Sequence, residues 1–267
     1  SPFPVSPGAG TTIYYVTQTD SGCQSLPDTV VITVNAIPAA PTAGTDTTYC
    51  EGDSVTGLTA AGTGIEWFSD PALTIPIDTG SPITPTVVVG TNIFYVTQTI
   101  NGCQSPADSV VIIVTAIPAA PTAGTDTTYC AGDPVAGLTA AGSGIEWFSD
   151  PGLTTLIDTG SPFTPLVVVG TNTFYVTQTV SGCQSLGDSV VIIINTLPVI
   201  DSVSSTNASA CGVDDGTITI SASGIPPFQY SVDGGSTFAG SGFFDSLNPG
   251  SYTVVVTDSN SCSITGS

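Results

Sequence analysis

An 80-residue internal repeat is the feature that most constrains the fold of this chain. The segment PAAPTAGTDTTYC ends at Cys50 and again at Cys130, and the later motifs GIEWFSDP and FYVTQT recur at the same offset. Residues 38–117 and 118–197 are therefore two copies of one unit. A fixed period of this length indicates a tandem array, in which each copy is a small structural unit that packs against its neighbours.

Residues 1–37 continue the same register, because SPFPVSPGAGTTIYYVTQT aligns with SPITPTVVVGTNIFYVTQT from Ser81 onward. We expect them to be the C-terminal half of a repeat whose first half lies upstream in a longer protein. The last segment does not follow the 80-residue pattern. The sequence thus predicts a half repeat at 1–37, complete repeats at 38–117 and 118–197, and a different kind of domain at 198–267.

Each repeat has a pattern of strands and turns, with no convincing helical period. Residues 91–99 alternate β-branched or aromatic residues with polar ones, which is typical of a half-buried strand. Residues 108–114 are apolar on both faces and predict a central strand, and Asn101-Gly102 is a hairpin signal. We therefore predict an all-β fold of tandem β-sandwich domains in an extended array, joined by short Pro-rich spacers.

The charge of the chain excludes several classes of function. The 267 residues include no Lys, Arg or His but 21 Asp and Glu, which gives a formal net charge of -21. Without cations the chain has no patch to neutralise phosphates, so we expect no nucleic-acid binding and no attraction to an anionic membrane surface. No apolar run approaches the ~20 residues of a membrane helix, so we expect no membrane insertion by this segment.

The same composition predicts that the chain is not an enzyme, because no Ser or Cys nucleophile has a His or Lys as its base. A carboxylate pair of the glycosidase type is the remaining chemistry. Glu66 with Asp70, repeated as Glu146 with Asp150, is the nearest candidate. Active sites are seldom copied along an array, so we predict no catalytic residues and no cofactor.

Two further candidate sites each have a structural alternative. Trp67 and Trp147 would suit a sugar-stacking platform, but a core Trp is the favoured interpretation, with either Trp67 or Phe68 facing outward. The last domain has enough carboxylates for a Ca²⁺ ion, whereas turn-forming Asp beside Gly, Ser and Asn is the simpler explanation. Those carboxylates are Asp214, Asp215, Asp233, Asp245 and Asp258.

Seven cysteines in a chain without a zinc-ligand pattern predict disulfides and an oxidising, extracellular environment. The spacing within each domain is nearly constant, which favours one disulfide in each. The predicted pairs are Cys50–Cys103, Cys130–Cys183 and Cys211–Cys262. Cys23 is then left unpaired, because its partner would lie upstream of Ser1.

With these motifs in hand, residues 1–197 resemble the Ig-like repeats of giant cell-surface proteins in Bacteroidota. The matching residues are YCxGDxVxGLTAxGxGIEWFSDP, then TGSP, then FYVTQTxxGCQS. The last segment resembles the SprB-type repeat of gliding-motility adhesins. It carries CGVDDGTITISASG from Cys211, PPFQYSVDGG from Pro226, and LNPGSYTVVVTDSNSC ending at Cys262, with Ser261 where that repeat usually has Gly.

The resemblance implies an all-β fold of tandem Ig-like β-sandwich domains in an extended array, with complete Ig-like repeats at 38–117 and 118–197. It also implies a structural or adhesive segment of a large secreted protein at the bacterial cell surface. Such a segment would form a rigid, anionic, disulfide-stapled stalk or extracellular filament. Its partners would be neighbouring repeats, copies of itself, or surface polysaccharide. The alternative is a set of carbohydrate-binding Ig-like modules of an adhesin or secreted hydrolase, which predicts a row of exposed aromatic residues at Phe94, Tyr95, Phe174 and Tyr175.

One recurring dipeptide, Asp followed by Ser or Thr, resembles the O-glycosylation motif of Bacteroidota, with the hydroxyl residue as the acceptor. The alternative is a turn Asp that leads into a strand. The predicted acceptors are Thr29, Thr47, Ser54, Ser109, Thr127, Ser189, Ser202 and Ser246.

Overall fold

The computed structural model describes residues 3–266, whose regular structure consists of strands and the turns between them. The predicted all-β class is confirmed. The chain divides into two compact units, residues 1–117 and residues 118–267. No helix within residues 3–266 is long and apolar enough to cross a membrane.

Residues 3–37 form a two-stranded ribbon with a small hairpin at one end. The strands are β1 (Gly10–Val16), β2 (Thr19–Asp20), β3 (Cys23–Gln24) and β4 (Asp28–Val34). Strands β1 and β4 pair antiparallel, and β2 pairs with β3. The ribbon has an uncovered apolar face, because Val30 is 51% exposed whereas its repeat counterpart Val110 is 1% exposed.

The repeat at 38–117 contains the strands β5 (Thr42–Ala43), β6 (Thr47–Cys50), β7 (Ala60–Ala61), β8 (Ile65–Phe68), β9 (Pro76–Thr79), β10 (Gly90–Ile100), β11 (Cys103–Gln104) and β12 (Asp108–Thr115). Its main sheet has the order β6-β12-β10-β8-β9, and β11 pairs with the end of β10. A second, smaller layer consists of the β5–β7 pair, and an isolated bridge joins Leu58 to Ile83. The core between these elements consists of Leu58, Ile65, Trp67, Ile83, Phe94, Val96, Val110, Ile112 and Val114.

The central position of β12 follows from its sequence, although its two faces differ more than the apolar run predicts. Val110, Ile112 and Val114 are buried, whereas Ile113 on the other face is 43% exposed. Alternate residues point to opposite faces, so one face of the strand contributes to the core and the other is only partly covered. The strand is central in the sheet without being buried on both sides.

Strand β6 pairs with β12 in parallel, unlike the antiparallel neighbours elsewhere in the sheet. The register places Thr47 opposite Ile112 and Cys50 opposite Thr115. Asp46 supports this pairing, because its carboxylate accepts a hydrogen bond from the Val111 amide at 2.9 Å. The repeat therefore places its TTYC motif beside the C-terminal end of its last strand.

The second unit begins with the repeat at 118–197, which has the same topology. Its strands are β13 (Thr122–Ala123), β14 (Thr127–Cys130), β15 (Ala140–Ala141), β16 (Ile145–Phe148), β17 (Leu156–Thr159), β18 (Gly170–Val180), β19 (Cys183–Gln184) and β20 (Asp188–Asn195). The sheet order is β14-β20-β18-β16-β17, with β14 parallel to β20. The parallel pair ends with Cys130 opposite Asn195.

Residues 198–266 form a smaller pair of sheets within the same unit. The strands are β21 (Val199–Thr206), β22 (Gly216–Ser223), β23 (Gln229–Ser231), β24 (Phe243–Leu247), β25 (Val254–Thr257) and β26 (Ser263–Gly266). The sheets have the orders β21-β22-β24 and β23-β25-β26. Their core centres on Ile218, Ile220, Val254 and Val256.

Candidate functional site

The two cysteines of one repeat lie at opposite ends of its main sheet. Cys50 ends β6 opposite Thr115, the last residue of β12. Cys103 begins β11 and pairs with Ile100, beyond the other end of β12. A strand rises about 3.3 Å per residue, so the length of β12 alone separates these cysteines by roughly 20 Å. A disulfide needs Cα atoms within about 7 Å of each other, so a bond inside one repeat is excluded.

The structure instead joins Cys130 to Cys262, whose Cα atoms lie 5.5 Å apart although 132 positions separate them in sequence. Cys50 and Cys183 are also disulfide-bonded. The cysteines with free thiols are Cys23, Cys103 and Cys211. The predicted pairs within single domains are therefore wrong, and Cys103 and Cys211, predicted to be bonded, are not.

The Cys130–Cys262 bond crosses the junction between the repeat at 118–197 and the last segment. In the parallel strand pair, Cys130 lies opposite Asn195, the last residue of β20. Strand β21 begins only a few residues later, at Val199. The disulfide is thus a second covalent connection beside a short peptide linker. Spacing within a domain gave no signal of this bond, because both cysteines have an equally suitable partner nearer in sequence.

A carboxylate holds the backbone at each of these two cysteines. The Cys130 amide donates a hydrogen bond to Asp133 Oδ2 at 2.9 Å, in the turn of the YCxGD motif. The Cys262 amide donates to Asp258 Oδ1 at 3.0 Å, within the β25–β26 hairpin. Asp53 makes the equivalent bond with the Cys50 amide at 2.9 Å. These turns fix the position of the cysteine backbone on each side of the junction.

The candidate catalytic carboxylates Asp70 and Asp150 are occupied by their own turns. Asp70 accepts hydrogen bonds from the Ile75 amide at 2.7 Å and from the Thr74 hydroxyl at 2.8 Å. Asp150 does the same with the Thr155 amide at 2.7 Å and with Thr154. The hydrogen bond from the Thr155 amide outweighs the partial desolvation of the carboxylate and holds the pKa of Asp150 below its ordinary value. A carboxylate in this arrangement is a turn-stabilising anion and a poor proton donor.

Glu66 and Glu146, the other members of those candidate pairs, lie in the middle of the main sheets. Glu66 is opposite Thr97 on β10 and Thr79 on β9. Glu146 Oε2 accepts a hydrogen bond from the Gln184 side chain at 3.2 Å. Both are half-buried on the strand that also carries the tryptophan. Each contact is with a neighbouring strand of the same sheet, as expected of a structural residue.

Both tryptophans are core residues. Trp67 and Trp147 have no exposed surface, and each indole Nε1 donates to a backbone carbonyl, that of Gly80 at 3.0 Å or that of Gly160 at 2.9 Å. The expectation that one residue of the WF pair faces outward is wrong, because Phe68 is also buried. A register shift occurs between Trp67 and Phe68, which breaks the simple alternation of faces.

The aromatic residues that would form a carbohydrate-binding row are not exposed as that alternative predicts. Phe94 and Phe174 are 6% and 7% exposed and belong to the two cores. Tyr95 and Tyr175 are only half-buried, opposite Ser109 and Ser189 on the next strand. One half-exposed Tyr per repeat is a smaller surface than the stacked platform that sugar binding requires.

Three of the five candidate Asp residues in the last domain accept hydrogen bonds in separate turns. Asp215 accepts from the Ser209 amide, Asp233 from residues 231–237, and Asp258 from the amides of Asn260 and Cys262. Within residues 3–266, no three His, Cys, Asp or Glu side chains come together as a metal site would require. Asp214 and Asp245 are exposed. The turn-forming interpretation fits these contacts.

Asp233 predicts a measurable dependence of stability on pH. Hydrogen bonds from the Thr237 hydroxyl and amide, and from the Ser231 hydroxyl, hold its pKa well below the ordinary value of 3.8. A depressed pKa stabilises the folded state above the unfolded pKa, and this stabilisation is lost as pH falls through the folded pKa. We expect the urea concentration at the midpoint of unfolding to decrease as the pH is lowered below about 4.

The matching variant is Asp233→Asn, which should unfold at lower urea at neutral pH and lose part of this acid dependence. Glu51→Gln changes the charge equally at an exposed position and is the control. The measurement is urea unfolding by circular dichroism at physiological salt, which screens the repulsion among the exposed carboxylates. An unchanged acid slope in Asp233→Asn would contradict the assignment.

The predicted glycosylation acceptors fall into two groups by exposure. Thr47 and Thr127 are half-buried on the parallel strands β6 and β14. The others are exposed: Thr29, Ser54, Ser109, Ser189, Ser202 and Ser246. Because a glycan needs room on the acceptor oxygen, the exposed group offers the better candidates.

Two sandwich-like repeats with a common topology, joined in series, define a protein of tandem Ig-like domains. A model of the family described as Ig-like domain CHU_C associated matches residues 38–115 and 118–195. These ranges cover more than half of the chain, which therefore belongs to this family. Tandem Ig-like domains of this kind suggest a structural or adhesive segment at a cell surface.

Solved structures with a similar course of the chain are also tandem Ig proteins. The I67–I69 fragment of titin is 13% identical, with a TM-score of 0.44 over 85% of this chain and 96% of that chain. Drosophila OTK extracellular domains 3–5 are 12% identical, with a TM-score of 0.36 over 86% and 97%. The N-terminal eight Ig domains of Down Syndrome Cell Adhesion Molecule are 13% identical, with a TM-score of 0.36 over 95% and 45%. No curated protein matches this chain.

Proposed function

We propose that this chain is a load-bearing segment of a stalk or filament at the surface of a secreting bacterium. The observation that carries the proposal is the Cys130–Cys262 disulfide, which ties one domain to the next beside a linker of a few residues. A second covalent connection restrains bending and separation of the two domains. This is useful where domains must hold a fixed direction, and it contributes nothing to catalysis.

The charge of the chain supports the same role. A formal charge of -21 without Lys, Arg or His makes every copy repel every other copy within about a Debye length, about 8 Å at physiological salt. This repulsion would keep neighbouring stalks from collapsing onto one another. Proteases that cut after Lys or Arg find no site in the chain, which suits an exposed location.

Several finer assignments belong to this proposal. The four-part domain division at residues 37, 117 and 197, the SprB-type assignment of the last segment, the bacterial source and the extracellular location rest on the sequence resemblance. The partners would be neighbouring repeats or copies of the chain. The carbohydrate-binding alternative receives no support from the buried Phe94 and Phe174.

O-glycosylation is part of the same proposal and has a direct readout. If any of the exposed acceptors is modified, the peptide that contains it, from protein isolated from its own cells, will have a mass above the one calculated from the sequence. Fragmentation would place the added mass on residues such as Thr29 or Ser109. Unmodified masses for all of these peptides would contradict the prediction.

Electron microscopy of the protein released from its own cells tests the main proposal. Thin, stiff threads of uniform width are the expected result, with a reducing agent making the threads more bent. The same grids after mock treatment without the reducing agent are the control. Compact particles under both conditions would overturn the proposed role.

A further inference from the structure

The free thiol of Cys103 lies at the junction between its own repeat and the ribbon of residues 1–37. Its Sγ is 3.9 Å from the carbonyl oxygen of Asn35, and the Asn35 side chain donates to the Asn101 carbonyl at 2.9 Å. The β10–β11 hairpin therefore rests against the end of the preceding repeat. Cys103 is half-buried there.

Asn35 occupies a defined position in the repeat. Its counterparts at offsets of 80 and 160 residues are Thr115 and Asn195. In each complete repeat this residue is paired in parallel with the cysteine of the TTYC motif, Thr115 with Cys50 and Asn195 with Cys130.

The carbonyl that faces Cys103 is the counterpart of the one that anchors the TTYC strand in a complete repeat. The Thr115 carbonyl accepts from the Glu51 amide at 2.8 Å, and the Asn195 carbonyl accepts from the Ala131 amide at 2.8 Å. In the ribbon, the corresponding Asn35 carbonyl is instead near the Cys103 sulfur. A TTYC strand placed beside Asn35 would lie about 4.8 Å away, within the reach of a disulfide from Cys103.

A disulfide is present in the same arrangement at the junction between the repeat at 118–197 and the last segment. There Cys130, beside Asn195, is bonded to Cys262 of the following domain. Cys262 follows Ser261, which has φ 63°, in the β25–β26 hairpin, as Cys103 follows Asn101-Gly102, both with positive φ, in the β10–β11 hairpin. Both cysteines are thus presented by tight hairpins that meet the preceding domain or ribbon.

We propose that Cys103 forms an inter-domain disulfide with the TTYC cysteine of the repeat that precedes it. In forming this bond the two thiols lose two protons and two electrons. The oxidant is a disulfide such as oxidised glutathione, which is reduced to two thiols. The bond would form whether or not the array serves as a stalk, so a failure of one proposal leaves the other standing.

The test completes the first repeat with the chain's own sequence, by placing a copy of residues 38–80 directly before Ser1. The oxidised, folded protein is alkylated and digested with an acid protease, because trypsin has no site. We expect Cys103 to lose at least nine-tenths of its labelling, and the added cysteine to appear cross-linked to the Cys103 peptide, while Cys23 and Cys211 stay labelled. The matched control has Ser in place of the added cysteine and should leave Cys103 fully labelled.

Burial of the added tryptophan, the counterpart of Trp67, reports whether the completed repeat has folded. A buried tryptophan with Cys103 still free, or a bond between the added cysteine and Cys23, would overturn the proposal. If the added half does not fold, the same digest of protein isolated from its own cells decides the question. There, a Cys103 peptide linked to a TTYC peptide other than that of Cys50 supports the bond, and a free Cys103 removes it.

Discussion

A variant in which Cys130 and Cys262 are the only cysteines should extend by roughly 450 Å less when oxidised than when reduced. The reason is that 132 residue steps lie between the two cysteines, and an extended residue spans about 3.3–3.6 Å. Force applied at the two termini passes directly from Cys130 through the two sulfur atoms to Cys262. The residues between them are excluded from the stretched path even after both domains unfold. Most of the second unit would therefore contribute nothing to the extended length.

The measurement is single-molecule pulling of this chain by its termini, with and without a reducing agent. The other cysteines are replaced by Ser so that the change has one source: Cys23, Cys50, Cys103, Cys183 and Cys211. The control adds Cys262→Ser and should show the long extension under both conditions. Equal lengths for the oxidised and reduced chains would show that Cys130 and Cys262 are not joined in solution.

Trp67→Ala should lower the unfolding free energy of the repeat at 38–117 by about 3–5 kcal/mol, the usual cost of deleting a large aromatic residue from a core. Trp67 has no exposed surface and is packed with the residues of its core cluster. The variant also leaves the Gly80 carbonyl without the indole donor. A small β domain has a total stability of only about 5–15 kcal/mol, so much of it would be lost.

The chain contains its own matched control, because Trp147 has the same burial and the same hydrogen bond in the repeat at 118–197. Hydrogen exchange followed by mass spectrometry should show lost protection in β8 and β10 of Trp67→Ala, with β16 and β18 unchanged. Trp147→Ala should give the reverse pattern. Equal loss of protection in both repeats would contradict the assignment of each tryptophan to a core of its own.

The class and periodicity of the fold could be predicted from the sequence because they depend on local patterns. Alternating β-branched residues in 91–99 predicted β10, and Asn101-Gly102 predicted the turn that follows it. Burial of Trp67 was also predictable, since a lone Trp in an apolar strand has few other stable locations. Each of these signals lies within about ten residues of the feature that it specifies.

The disulfide connectivity could not be predicted in the same way. Which cysteines meet depends on the parallel pairing of β6 with β12, and no local pattern specifies the direction of a neighbouring strand. That pairing separates Cys50 from Cys103 and brings the cysteine of one domain to the hairpin of the next, as in Cys130–Cys262. The face of Phe68 was missed for a comparable reason, because a register shift at one residue breaks the alternation.

The parallel pairing of β6 with β12 also determines where the chain enters and leaves each repeat. Two neighbouring strands that run in the same direction begin at one pole of the sheet and finish at the opposite pole. The polypeptide therefore crosses the repeat from pole to pole between Thr47 and Thr115. An antiparallel pair would have returned it to the starting pole, and a connector as long as the repeat would then be needed before the next one. With this topology, a few residues are enough to start the next repeat, and repeats can be added one after another without lengthening the connections.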